Sequence, residues 1–197
     1  MKTEIEAKFL NIDFSDIRKK LLHLGATLIQ PERLMKRQNF DYPDYRLEKS
    51  NGWIRVRNEG NKITLSYKQL NTRTLHGTKE ISVQVNNFTD TCLFLKTIGL
   101  IDYSYQETKR ESWLFEKTEI ELDTWPWIPP FMEIEGPSEK AVKYLANQLE
   151  LDWSQALFGS VEIVYQNYYN VTEAEVDSWP EIKFKPVPSW LAKKKIN

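Results

Sequence analysis

Residues 4–9 read Glu4-Ile5-Glu6-Ala7-Lys8-Phe9, with a charge at every second position and an apolar group in each gap. Side chains alternate faces along a β-strand, so this spacing predicts three charges on one face and three apolar groups on the other. Carboxylates two positions apart on one strand are about 7 Å apart. With an ammonium beside them, they make a seat for a hard divalent cation that holds an anionic ligand. Taken alone, the segment reads more simply as an edge strand with solvated charges. Recurrence along the chain separates the two readings.

The same alternation returns at Arg55 and Arg57, at Thr64, Ser66 and Lys68, and at Glu80, Ser82 and Gln84. It continues at Thr108, Arg110 and Ser112, at Glu119, Glu121 and Asp123, and at Glu133 and Glu135. Except around Arg110, the positions between are apolar, such as Ile54 and Val56, Ile120 and Leu122, or Met132 and Ile134. About eight antiparallel strands of this kind form either an open sheet with its charges in water or a closed barrel with its charges inside. Unpaired charge inside a barrel costs several kcal/mol per ion, so the closed form requires a lumen that binds ions or ligand. Arg55, Arg57, Lys68 and Arg110 suit a row of phosphate groups, the arginines offering a planar fork of donors. Glu4, Glu6, Glu133 and Glu135 are hard oxygen ligands suited to Mg²⁺ or Mn²⁺. Both sets facing one cavity would meet the needs of a metal-bound polyanion.

The chain has 197 residues, with 27 Lys+Arg against 28 Asp+Glu and a net charge of −1. That length fits one ordinary domain. The charge balance argues against a nucleic-acid or membrane-surface partner. The single cysteine, Cys92, excludes an intramolecular disulfide and a thiolate cluster, and two histidines, His23 and His76, offer little material for a His-based site. The opening residues show no signal-peptide pattern and no long apolar run, so the expectation is a cytoplasmic, soluble protein.

Helices are predicted over Asp16–Leu24, capped by Ser15 and stopped by Gly25, over Asp90–Ile98, and over Glu139–Leu149 after Gly136-Pro137-Ser138. Beyond the first segment, strands are predicted at Leu34–Tyr42, Trp53–Arg57, Lys62–Gln69, Thr78–Val85, Gln106–Glu116, Thr118–Thr124 and Met132–Glu135. Residues 154–175 read as largely helical, with Tyr165, Tyr168 and Tyr169 as packing groups, and the proline-rich tail reads as irregular. The E-I-E strand-then-helix pattern occurs at both Glu4 and Glu133, a faint internal echo.

In order along the chain, E-I-E-A-K, W-I-R-V-R, L-S-Y-K, E-I-E-L-D and F-M-E-I-E-G resemble the CYTH family of triphosphate tunnel metalloenzymes. Its members include thiamine triphosphatases, inorganic tripolyphosphatases and class IV adenylate cyclases. The resemblance runs from Glu4 to about Leu149. It implies an α+β fold, a closed eight-stranded antiparallel β-barrel with helices packed outside, in one domain over 1–197. Residues 1–149 would form the tunnel and 150–197 a helical segment and tail. Lys8 and Glu6 would be catalytic, and Lys8, Arg55, Arg57, Lys68, Arg110 and Lys79 would hold a triphosphate. Glu4, Glu6, Glu133, Glu135, Asp123 and Glu80 would face Mg²⁺ or Mn²⁺. Ser82 stands where a second acid is common in the family, and Thr108 where a basic residue is common. The resemblance implies a small-molecule triphosphate as partner and leaves a homodimer open. It also leaves open three functions: a metal-dependent hydrolase, a cyclase making cyclic AMP, and a binding module without turnover.

Overall fold

A computed structural model describes residues 1–196. Its elements among these residues are β1 (Lys2–Thr3), β2 (Glu6–Phe9), α1 (Phe14–His23), β3 (Thr27–Asp41), β4 (Gly52–Asn58), β5 (Ile63–Leu70), β6 (Thr78–Val85) and α2 (Phe88–Thr97). There follow β7 (Ile101–Phe115), β8 (Thr118–Thr124), β9 (Phe131–Glu135), α3 (Glu139–Gln148), α4 (Glu162–Tyr168), α5 (Glu173–Asp177), β10 (Glu181–Ile182) and α6 (Ser189–Ala192). The fold is α+β. One ten-stranded sheet runs in the order β1-β6-β5-β4-β3-β7-β8-β9-β2, with β10 added to β7.

The sheet is curled but open, which corrects the expected closed eight-stranded barrel. Its terminal strands β1 and β2 form no ladder with each other; β1 pairs with β6 and β2 with β9. The two are consecutive in the chain, joined by Glu4 and Ile5. Glu4 N–H donates to the Thr78 carbonyl at 2.9 Å and Gly136 N–H to the Ile5 carbonyl at 3.0 Å, so the polypeptide itself crosses the gap. The N-terminal segment serves both edges in turn, and no pair of strands is left to close the ring.

Most of the apolar faces read from the sequence are buried outside the curl, but that of β6 is not: Ile81 and Val83 are 55% and 52% exposed. Ala7, Phe9, Ile120, Leu122, Met132 and Ile134 pack with Ile17 and Leu21 of α1 and with Val142 and Leu145 of α3. Fully burying each such side chain stabilises the fold by about 1.5–3 kcal/mol. A second cluster sets Leu95 of α2 on Phe40 and Val56, with Cys92 beside them and its thiol pushed up to about 11 by burial. A third joins Trp125 and Phe131 to Val164, Tyr165, Trp179 and Leu191, fixing the C-terminal segment to one end of the sheet.

Several boundaries moved for local reasons. The cap of α1 is Asp13, not Ser15; its carboxylate accepts from the N–H groups of Ser15 and Asp16 at 2.7 and 3.2 Å, as suits the positive end of a helix. Gly25 follows the helix at φ +78°, a conformation that glycine adopts without strain. β3 starts well before Leu34, because register shifts around Gln30 let the strand pass Pro31, which has no N–H to donate. Of 154–175, only Glu162–Tyr168 and Glu173–Asp177 bracket α-helix within or across that range, and the tail carries β10 and α6. The two E-I-E segments lie side by side, Glu6 opposite Glu135 and Lys8 opposite Glu133. No helix among the described residues is long and apolar enough to cross a membrane.

Candidate functional site

The curl turns the polar faces of β2 to β9 onto one cavity of about 620 Å³. Glu4, Glu6, Lys8, Arg55, Arg57, Lys68, Glu80, Arg110, Glu133 and Glu135 all line it. Strand parity puts all but Glu4 there, on the face opposite the apolar clusters, and Glu4 enters from the link between β1 and β2.

Cations and carboxylates pair across the strands. Lys8 Nζ lies 2.8 Å from Glu6 and 3.2 Å from Glu133. Glu133 also accepts from Arg110 Nη2 at 2.7 Å, and Arg110 grips Asp123 with both Nε and Nη2. Lys68 sits 2.9 Å from Glu4 and 3.3 Å from Glu80, Arg55 is 3.6 Å from Glu80, and Arg57 is 2.7 Å from Glu59. Ser82 hydrogen-bonds with Ser66 at 2.8 Å.

These contacts set the protonation states. Burial opposes the Lys8 charge, but Glu133 and Glu6 outweigh it and hold the ammonium above its ordinary pKa. Lys8 is therefore a cation at neutral pH, not a base. Burial raises Glu4 to about 8, against Lys68 and with help from Glu80. Glu80 is held below its ordinary value: Glu4, Lys68 and Arg55 together outweigh the effect of burial. Glu121, opposite Glu133, is lifted to about 7 by burial, with Arg110 opposing.

Two predicted site residues sit elsewhere. Lys79 is exposed and absent from the cavity wall, because Glu80 takes the inward parity on β6. Asp123 has no exposure and serves as the counter-ion beneath Arg110. Sequence reading missed Arg33, Arg37 and Glu59, which line the cavity from β3 and from the β4–β5 turn. R-V-R-N-E was a signal for Glu59, two positions on from Arg57 at the same parity.

The donor set fits a divalent metal. Glu6, Glu135 and Glu119 stand directly opposite one another across β2, β9 and β8. Like charges in such a row are destabilising, and here Lys8, 2.8 Å from Glu6, and Lys2, 3.5 Å from Glu135, offset them until a metal takes their place. Among the described residues, no three acidic side chains converge into a preformed cage. That suits Mg²⁺, which is usually held by one or two carboxylates and completes its shell with water and substrate phosphate. A carboxylate must lose its proton to ligate, so affinity for Mg²⁺ or Mn²⁺ should climb between about pH 7 and pH 9 as Glu4 ionises. Titration calorimetry at several pH values checks this; a flat affinity over that range would contradict it.

Comparison with solved structures places the fold. A protein from Pyrococcus horikoshii OT3 is 22% identical, with a TM-score of 0.65, over 78% of this chain and 93% of that one. A candidate adenylate cyclase from Vibrio parahaemolyticus is 11% identical, with a TM-score of 0.73, over 84% and 98%. A candidate adenylyl cyclase from Hippeastrum, described as having a dominant triphosphatase activity, is 13% identical, with a TM-score of 0.55, over 90% and 95%. A comparison with curated proteins finds no match. The CYTH domain model matches residues 2–170, in agreement with the ordered charged strands and their shared cavity, and the chain belongs to the CYTH family.

Proposed function

We propose that the chain is a divalent-metal-dependent hydrolase of a small triphosphate-containing substrate: inorganic tripolyphosphate, thiamine triphosphate or a nucleoside triphosphate. One observation carries this reading. Lys8, Lys68, Arg55, Arg57 and Arg110 meet Glu4, Glu6, Glu133 and Glu135 in a single cavity. Without ligand each cation is held by a carboxylate: Lys8 by Glu6 and Glu133, Lys68 by Glu4 and Glu80, Arg55 by Glu80, Arg57 by Glu59, and Arg110 by Asp123 and Glu133. A triphosphate entering with a cation exchanges partners, so that phosphate takes the ammonium and guanidinium groups and the carboxylates turn to the cation. Bound Mg²⁺ or Mn²⁺ supplies Lewis-acid polarisation of the phosphoryl oxygens. Arg110, fixed by its grip on Asp123, and Lys8, kept protonated, neutralise the charge that develops on the transferred phosphoryl group. Glu6, released from Lys8, accepts the proton of the attacking water. The activity described for the Hippeastrum protein supports the hydrolase reading, while the Vibrio protein keeps cyclisation as the competing outcome.

The test is a panel of tripolyphosphate, thiamine triphosphate and ATP with Mg²⁺, Mn²⁺ or Ca²⁺, reading phosphate release and cyclic AMP together. Phosphate release with Mg²⁺ or Mn²⁺ is expected. Ca²⁺ should support little turnover, because its larger, looser shell orients water and phosphate poorly. Glu133→Gln should reduce turnover by about 100-fold. Glu116→Gln, at an exposed turn position with φ 55°, should leave it near wild type. Full activity in excess chelator, or cyclic AMP as the dominant product from ATP, would overturn the proposal.

A further inference from the structure

Arg37 stands apart from the other cavity cations. Its side chain lies on β3 in the residue's 7% exposed state, yet it is ion-paired with no carboxylate among the described residues. Nη2 donates to Thr108 Oγ1 at 3.1 Å, the guanidinium carbon lies 4.5 Å from the centre of the Trp125 ring, and Nε has no partner. Arg33, on the same strand, also lacks an ion pair, but it donates to the carbonyls of Glu59 and Arg110 at 3.1 and 2.9 Å. Asp123 attracts Arg37 but is already gripped by Arg110.

The neighbours aggravate the imbalance. Directly opposite Arg37 on β4 stands Arg57, and Arg55 stands opposite the next inward residue of β3, Asn39. Like charges facing each other across a ladder are destabilising, and an uncompensated buried guanidinium is more so. Two further donors on the cavity wall have no acceptor: Nε of Arg55, 6% exposed, and Nε1 of Trp125, 4% exposed. The Asn39 amide is unpartnered too, and rotation would present its N–H₂ group instead of Oδ1. Buried donors without acceptors are rare in folded proteins.

We infer that Arg37, with Arg55 and the Trp125 indole N–H, forms a receptor for one phosphoryl group that is ready before any metal arrives. The inference rests on the triphosphate reading of the cavity and adds an order of events to it. Lys8, Lys68, Arg57 and Arg110 must each give up a carboxylate before they can bind phosphate, and Arg55 offers its unpartnered Nε while its Nη2 stays 3.6 Å from Glu80. Arg37 gives up none, so the anion anchors there first and the carboxylates are then released to the cation.

Calorimetric titration of inorganic tripolyphosphate in excess chelator tests this with wild type, Arg37→Met and Arg57→Met. Metal-free binding is expected in wild type, weakened at least about ten-fold in Arg37→Met and clearly less in Arg57→Met. Ligand-free Arg37→Met should melt at or above the wild-type temperature, because it removes an uncompensated buried charge. Arg37→Met binding within about two-fold of wild type, no metal-free binding in wild type, or a lower melting temperature for Arg37→Met would each overturn the inference. Metal-supported phosphate release alongside any of these results would leave the hydrolase reading standing. Metal-free binding that depends on Arg37, in a protein with no turnover, would remove the hydrolase reading and keep the receptor.

Discussion

Arg110→Met is expected to lower the free energy of unfolding by about 3–5 kcal/mol, the usual cost of removing one member of a buried ion pair. In a chain of this size that corresponds to a fall in melting temperature of roughly 6–20 °C. Arg110 binds Asp123 through both Nε and Nη2 and also reaches Glu133, while the Asp123 side chain is only 1% exposed. Methionine would leave Asp123 as a buried charge with no ion-pair partner. Burial and Glu133 would then drive the carboxyl toward its protonated form. Arg110→Met combined with Asp123→Leu removes both charges and should recover most of the loss. If the double variant melts no higher than the single one, Asp123 is not the group that Arg110 compensates.

Lys8→Ala should have the largest effect on chemistry, lowering kcat by about 10²–10³-fold with a much smaller change in KM. Lys8 is 2% exposed, and its ammonium lies between Glu6 and Glu133, so it occupies one fixed position beside the carboxylates proposed to face the metal. Ground-state affinity for triphosphate would still come from Arg37, Arg55, Arg57, Lys68 and Arg110. A group that acts mainly on charge developing in the transition state affects turnover more than binding. Steady-state kinetics checks the split. Loss of affinity alone would make Lys8 a clamp and move the chemistry away from the first strand.

Much of this site was legible because strand parity is a strict rule. β6 and β8 begin and end where alternation places them, and the inward Glu6, Lys8, Arg55, Arg57, Lys68, Arg110, Glu133 and Glu135 follow from it. Parity also explains Lys79, since adjacent positions on a strand cannot both face the cavity. It failed where the ladder is irregular or the alternation lapses. Shifts between Leu28 and Gln30 and between Gln30 and Arg33 break the count ahead of Arg33, and Arg37 stands in the run Lys36-Arg37-Gln38-Asn39, where polar residues at both parities leave no alternation to assign a face. Facing β3 is β7, which begins at Ile101 and not at Gln106, so the buried Ser104 lay outside the strand as it was read. Sheet closure was beyond reach for a different reason: alternation sets which face a residue takes, not whether the last strand pairs with the first. Asp123 shares its parity with Glu121, and only the three-dimensional contacts show it beneath Arg110.

The central claim is that one cavity holds a triphosphate and a divalent cation between the inward glutamates and the inward arginines. Crystals grown with Mn²⁺ and a non-hydrolysable triphosphate test it most directly, because Mn²⁺ is located by its anomalous scattering. The account predicts a peak inside the cavity, ligated by carboxylates of the Glu4, Glu6, Glu133 and Glu135 set and by phosphate oxygen, with the phosphate chain along Arg37, Arg55, Arg57 and Arg110. Mn²⁺ bound only on the outer surface, or a triphosphate lying outside the curl of the sheet, would contradict it.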